Sequence, residues 1–441
     1  MKKPAMMRRA LAVLGATTLV AGLAACGQAA TPEESGGPTT IQWWGWDPGK
    51  DGAPPIIEAF EADHPDIKVQ YKFIGYSDYA NTLRLAVSSA GGPDIFGLED
   101  GAMAQQFGEL STDLAPYAQE SHGADYTDQF IGASNLVIDD RQAAMPYTYT
   151  AAGEIWYNKT LFDTLGISGP PADLADWKAD CEILRAAGYE CFVQGAKDGW
   201  VNVDVFQAIA NQFSPGELTE ALQGKTDIDT DTFRDAFQVW KTLFDDGYFQ
   251  AGALAATEYP DANDLFHGGK AGMIALGTFN NSKVNKKVTE ALATTYGNPA
   301  LATTQFMPAP FPAVTDNAKT GTLFGSSFGW AISEASEKKD AAWVFVNWLT
   351  SEGGQNFPAS TTQQPAFKEV SPSFDDVLTP EQADAIKSFS AALADPAGRR
   401  TIENADVQTA LWDALSSVAA GLQTPAEATA ALQQAIDAAY Q

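Results

Sequence analysis

The sequence predicts an α/β protein of two lobes. Two observations carry that reading: strand and helix patterns alternate from residue 41 onward, and the chain is long. Residues 41–44 read as a first strand. Residues 54–63 follow as a helix, with Pro54 or Pro55 in the first turn and Ile56, Ile57 and Phe60 on one face. "IKVQYKF" (67–73) alternates with period two, residues 78–90 carry Leu83, Val87 and Ala90 at helical spacing, and "DIFGLE" (94–99) is a third strand. Three strands joined by two helices make a parallel, doubly wound lobe. Setting aside the leader leaves about 400 residues, more than one core usually supports, so a second lobe is expected. Its helices include the stripe Phe233, Phe237, Trp240 and Phe244; another stripe is Ala342, Phe345, Val346 and Leu349. Aromatics at that spacing are core. The last hundred or so residues are mainly helical, and no internal repeat is visible.

The first residues address location. Lys2, Lys3, Arg8 and Arg9 precede an apolar stretch at 10–25, the pattern of a secretory signal peptide over 1–25 and too short for a spanning helix. Leu23, Ala24, Ala25, Cys26 and Gly27 resemble the bacterial lipobox, in which the cysteine is lipidated and becomes the mature N-terminus. Residues 26–40 then form a flexible tether rich in Gly and Pro. The expectation is a protein on the outer face of the bacterial cytoplasmic membrane, held by lipid at Cys26. With Cys26 so used, Cys181 and Cys191 remain, and an oxidising compartment favours a disulfide between them.

Removing residues 1–25 takes away four basic and no acidic residues, so the formal charge moves from −29 to −33. Such a surface repels nucleic acid and anionic lipid. At 45% hydrophobic and 11% aromatic, the composition is that of a packed globular protein.

Several stretches in order resemble the ABC-importer solute-binding lipoproteins of the carbohydrate type, the group that includes maltose-binding protein. They are "IIEAFEADHPDIKVQ" (56–70), "AGGPDIFGLED" (90–100), "IWYNKTLFDTLGI" (155–167), "FHGGKAGMIALGTFN" (266–280), "GWAISEASEKKDAAWVFVNWLTSEGGQ" (329–355) and "LADPAGRRTIENA" (393–405). The resemblance implies a type II periplasmic-binding-protein fold, two discontinuous α/β lobes joined by a multi-strand hinge with a ligand cleft between them. One lobe would be 40–148 plus 328–395, the other 149–327 plus 396–441. It also implies a non-catalytic, monomeric receptor for a mono- or oligosaccharide, served by ABC permease subunits and needing no cofactor or metal. Within "GWAIS", Ser333 reads as a helix N-cap.

"IQWWGWDPG" (41–49) ends the first strand with Trp43, Trp44 and Trp46. Alternation sends Trp43 and Trp44 to opposite faces, so Trp43 is assigned to packing and Trp44 and Trp46 to the cleft. Ligand sites in open α/β sheets lie off strand carboxyl ends and between lobes. A sugar offers a C–H face that indole covers, and hydroxyls that carboxylates and amides bond. The same logic nominates Asp47, Glu99, Asp100, Tyr147, Tyr149, Trp200, Asn202, Phe279, Asn280, Gly325 and Ser326, with Asp204 weaker and Asp94 a structural turn carboxylate. Trp412 reads as helix core.

Other classes fare worse. "GSSFG" (325–329) fits a nucleophile elbow at Ser327, yet His64, His122 and His267 all precede it, against the order of that triad. "DIDTDTF" (227–233) opens like a calcium loop but lacks the required glycine and glutamate. A glycosidase would need paired carboxylates, which an acidic chain supplies by chance. Aromatics with carboxylates also suit a cationic or quaternary-ammonium solute, which stands as the alternative ligand.

Overall fold

The computed structural model describes residues 37–441 apart from 90, 322 and 393–395. The leader, Cys26 and most of the tether lie outside the described residues. Among the described residues ten strands form two sheets: β1 (Thr39–Gly45), β2 (Ile67–Phe73), β3 (Ile95–Glu99), β4 (Met145–Ala152), β5 (Glu154–Asn158), β6 (Glu190–Val193), β7 (Ala271–Ile274), β8 (Phe306–Pro310), β9 (Phe324–Ile332) and β10 (Gly398–Arg399). A short hairpin pairs Val137–Ile138 with Arg141–Gln142.

In the first sheet β1 lies between β2 and β3 and is parallel to both, in the registers Thr39↔Ile67 and Trp43↔Ile95. The helices α1 (Ala53–Asp63) and α2 (Tyr76–Ala86) make the two connections. β9 runs antiparallel to β3 and, on its other side, to β4, while β10 lies beside the start of β9. The second sheet has the order β8-β5-β7-β6. Two-lobed α/β architecture therefore follows from the chain as the alternating pattern predicts.

Both faces of the first sheet are covered. Trp43 packs on one side with Ile56, Phe60, Trp330 and Phe345; Trp44 packs on the other with Ile74, Tyr79 and Leu83. In the second lobe, Phe233, Phe237 and Trp240 join Trp177, Phe192 and Phe206 in the core.

The chain passes from the first sheet to the second between β4 and β5 through a single residue, Gly153, whose φ of 119° is one that side chains disfavour. It returns between β8 and β9, and crosses again after β10 into the helix Ala405–Ala419, which packs in the second lobe. Helix Pro380–Ala392 packs with the second sheet: Ala383 and Ile386 sit with Trp156 and Phe306, and the Gln382 amide donates to the Phe306 carbonyl at 3.0 Å. The 328–395 piece expected in the first lobe thus ends in a helix that serves the second. Ser333 caps no helix: its hydroxyl donates to the Val87 carbonyl at 2.9 Å, and the next helix starts only at Lys339.

Cys181, on helix Leu174–Ala186, and Cys191, on β6, are joined in a disulfide that ties this helix to the strand it covers. Replacing both by serine releases a loop of about ten residues and lowers stability by about 2–3 kcal/mol. Urea unfolding of the two forms, followed by near-UV circular dichroism, measures the difference.

Candidate functional site

The carboxyl ends of β1 and β3 open toward the second lobe. Trp46, one residue past β1, is half-buried, with its ring centroid 5.2 Å from Tyr76, 4.6 Å from Tyr79 and 4.7 Å from Phe328. Asp47 follows, and desolvation pushes its carboxyl up to about 6. Tyr71 donates to the Pro48 carbonyl at 2.6 Å and so fixes the turn that carries both.

Glu99 ends β3. It accepts from the Tyr76 hydroxyl at 2.6 Å and from Arg400 Nη1 at 2.9 Å. Arg400 also holds Asp204, on helix Gly199–Phe213 of the second lobe, through Nε at 2.9 Å and Nη2 at 3.0 Å. One guanidinium, 8% exposed, therefore joins a carboxylate from each lobe. Burial works against its charge, but Asp204 and Glu99 outweigh burial and hold its pKa above the usual arginine range. Burial pushes Asp204 up, and Arg400 opposes that rise.

Aromatic rings surround this ion set. Arg400 Cζ lies 5.5 Å from the Trp200 centroid and 5.2 Å from that of Phe279, within cation–π range. Trp200, in the first turn of its helix, meets Tyr76 edge-on at 5.6 Å, stacks near-parallel to Tyr259 at 6.1 Å and meets Phe279 at 6.2 Å. Tyr259 exposes 41% of its surface, yet desolvation raises its hydroxyl well above the usual tyrosine range. A cavity of about 450 Å³ lies beside Tyr76, Glu99, Trp200, Asp204 and Arg400. Trp46, Asp47, Tyr259 and Phe279 do not line it.

Of the residues nominated from sequence, Trp46, Asp47, Glu99, Trp200, Phe279 and Ser326 belong to this constellation; the Ser326 hydroxyl is 3.0 Å from that of Thr150 and 3.4 Å from Glu99. Asp100 lines the cavity but is already engaged, by the Thr401 hydroxyl at 2.7 Å and the Ser327 N–H at 3.1 Å, and desolvation pushes it up to about 7. Trp44 points elsewhere: α2 covers its face of the sheet, and Lys72 Nζ sits 3.6 Å above its ring. Tyr147 is core between Phe328 and Trp330. Tyr149 packs with Ala151 and Leu323, and Gly325 serves it: a Cβ there would fall 1.9 Å from the Tyr149 hydroxyl. Asn202 is buried, donating to the Ala196 carbonyl and accepting from Gln194, and Asn280 is buried too. Asp94 holds the Gln42 N–H, the Ser336 hydroxyl and Lys338, the structural role expected of it.

Sequence reasoning passed over Tyr76, Tyr259 and Arg400, gave Asp204 little weight, and placed Trp412 in the core. The Trp412 side chain is half-buried and lines the cavity. The available signal was the "GRRT" stretch, a pair of arginines in a chain with 27 basic and 56 acidic residues.

Two α/β lobes facing each other across an aromatic cleft define a class: receptors that enclose a small guest between domains. The chain belongs to the bacterial extracellular solute-binding proteins, whose family model matches residues 46–356. A binding protein of Brucella abortus (strain 2308) is 26% identical over 317 residues, 71% of each chain. Among solved structures, the maltose-bound MalE3 of T. maritima aligns with a TM-score of 0.71 at 19% identity, covering 90% of this chain and 99% of that one. A solute-binding protein of Thermotoga lettingae TMO, bound with alpha-D-tagatose, gives 0.72 at 16% identity over 91% and 100%. At such identities the structures bear on fold.

Arg400→Met leaves Glu99 and Asp204 buried without their cation and costs about 3–5 kcal/mol at neutral pH. Burial pushes the Asp204 carboxyl up, so the deficit against wild type shrinks as acid protonates it; thermal unfolding at pH 7 and pH 5 reads this. Asp47 and Asp100 both bind protons more tightly folded than unfolded. Their contribution is full below the unfolded value near 4 and is lost as pH rises through about 6 and 7. Between pH 4 and 7 wild type therefore loses stability relative to Asp47→Asn, which the same melting series measures.

Proposed function

We propose that this protein is a non-catalytic receptor that captures a mono- or oligosaccharide outside the cell, closes its lobes around it and delivers it to the permease of an ABC importer. Cys26 would carry the lipid that keeps it at the membrane. The carrying observation is the set of aromatic rings, Trp46, Tyr76, Trp200, Tyr259 and Phe279, around carboxylates whose charge Arg400 already meets. Rings of this kind cover sugar C–H faces, and the remaining acceptor positions suit hydroxyls. The relatives bound to maltose and tagatose lend the same reading weight. Arg400 speaks against a cationic guest, because the protein's own cation sits over Trp200 and Phe279. Closure requires the guest to bind the closed form better than the open one. The lobes would turn about the three crossings, at Gly153, between β8 and β9, and after β10.

A thermal-shift and calorimetric screen against a sugar panel, with betaine and spermidine included, tests this. A shift with a carbohydrate and none with the amines is expected; the reverse overturns the proposal. Burying roughly 80 Å² of ring face is worth about 2 kcal/mol, so Trp200→Ala weakens sugar binding by about 30-fold. Trp44→Phe, in the first-lobe core, leaves affinity unchanged.

A further inference from the structure

The cavity beside Tyr76 and Trp200 has walls from both lobes. On one side stands a single face of α2, with Ser77, Ala80, Asn81 and Arg84; on the other is a face of helix Ala405–Ala419, with Ala405, Gln408, Thr409 and Trp412. Residues at these spacings share a helix face. The Trp412 ring is seated against the Gly199 backbone, where a Cβ would come within 2.2 Å of it, and the rest of the half-buried indole lines the cavity. An indole and the side-chain amides of Asn81 and Gln408 in one lining suit a sugar ring.

The charges around this cavity are unequal in one respect. Of the four carboxylates that line it, two meet a cation and two meet neutral donors. Glu99 and Asp204 hold Arg400, Asp100 takes the Thr401 hydroxyl and the Ser327 N–H, and Asp198 takes the Glu258 N–H at 2.8 Å and the Ser77 hydroxyl at 3.2 Å. Arg84 and Lys197 line it as well, and among the described residues neither forms an ion pair. Arg84 donates only to the neutral Asn81 side chain at 3.1 Å. Arg84 comes from the first lobe and Lys197 from the second, next to the Ser77–Asp198 contact that joins them. An anionic group entering the cavity would meet two cations that have no carboxylate in ion-pair contact.

We infer that this outer chamber takes an acidic sugar unit, a uronate at one end of the guest, with its carboxylate between Arg84 and Lys197 and its ring on Trp412. This rests on the saccharide reading above and adds to it a guest longer than one unit that carries negative charge. The two cations are solvent-exposed, so each supplies selectivity more than bulk affinity.

Calorimetric titration of the full mature protein with an aldobiouronate (glucuronate linked to xylose) and with digalacturonate, each beside neutral xylobiose, maltose and cellobiose, decides the matter. An acidic disaccharide should bind about tenfold tighter than the neutral ones, an advantage that fades at high salt. Arg84→Gln and Lys197→Gln should each cut the acidic-to-neutral affinity ratio several-fold, while Lys72→Gln, outside the cavity, leaves it unchanged. Neutral sugars binding as well as the acidic ones, or a ratio indifferent to both substitutions, overturns the inference and leaves the saccharide receptor standing. Failure of every saccharide removes both.

Discussion

A guanidinium is tolerated in a protein interior only where acids surround it with good geometry, and Arg400 meets that condition with partners from two lobes. The fork to Asp204 uses two parallel N–H donors, and the third contact reaches Glu99 at the end of β3. Fork geometry of this kind is what arginine offers and lysine does not. Because the two carboxylates ride on different lobes, the full set exists only while the lobes are together. Desolvating three charged groups is costly, and their mutual attraction repays it only in this arrangement. The closed form thus has an electrostatic lock of its own, placed on the chain segment that makes the last crossing.

The surroundings of that lock follow from topology. Parallel β1 and β3 deliver Trp46, Asp47 and Glu99 to one edge of the first sheet. The second lobe answers with Trp200 and Asp204, four residues apart and so on one side of a helix, while Phe279 and Tyr259 come from turns. The raised pKa of Asp47 and the raised hydroxyl of Tyr259 share a first cause, desolvation by the groups packed around them.

Much of this was legible in the amino-acid order, and the exceptions have physical reasons. Period-two alternation correctly separated Trp43 from Trp44. It could not say that both faces of β1 are roofed by helices, so Trp44 was assigned to the cleft when only Trp46, beyond the last paired residue, reaches it. Tyr147, Tyr149, Asn202 and Gly325 stand near strand ends or helix starts, as proposed, but face inward; side-chain direction there depends on neighbours far along the chain. Arg400 is the clearest case. Its partners lie 196 and 301 residues away, and nothing local marks it apart from Arg399. The helical stripes, by contrast, were readable because periodicity is a local property.

The passage between β4 and β5 turns on Gly153 alone, with no loop to absorb slack. Next to it the Ala151 N–H is held by the Thr278 hydroxyl at 2.9 Å, which pins the neighbourhood of Phe279 to the pivot. In any opening motion, points near the axis travel least and points far from it sweep the longest arc. Phe279 should then behave as a fixed anvil, already positioned before a guest arrives. Tyr76 and Trp200, one on each lobe and 5.6 Å apart between ring centroids, part company when the lobes do.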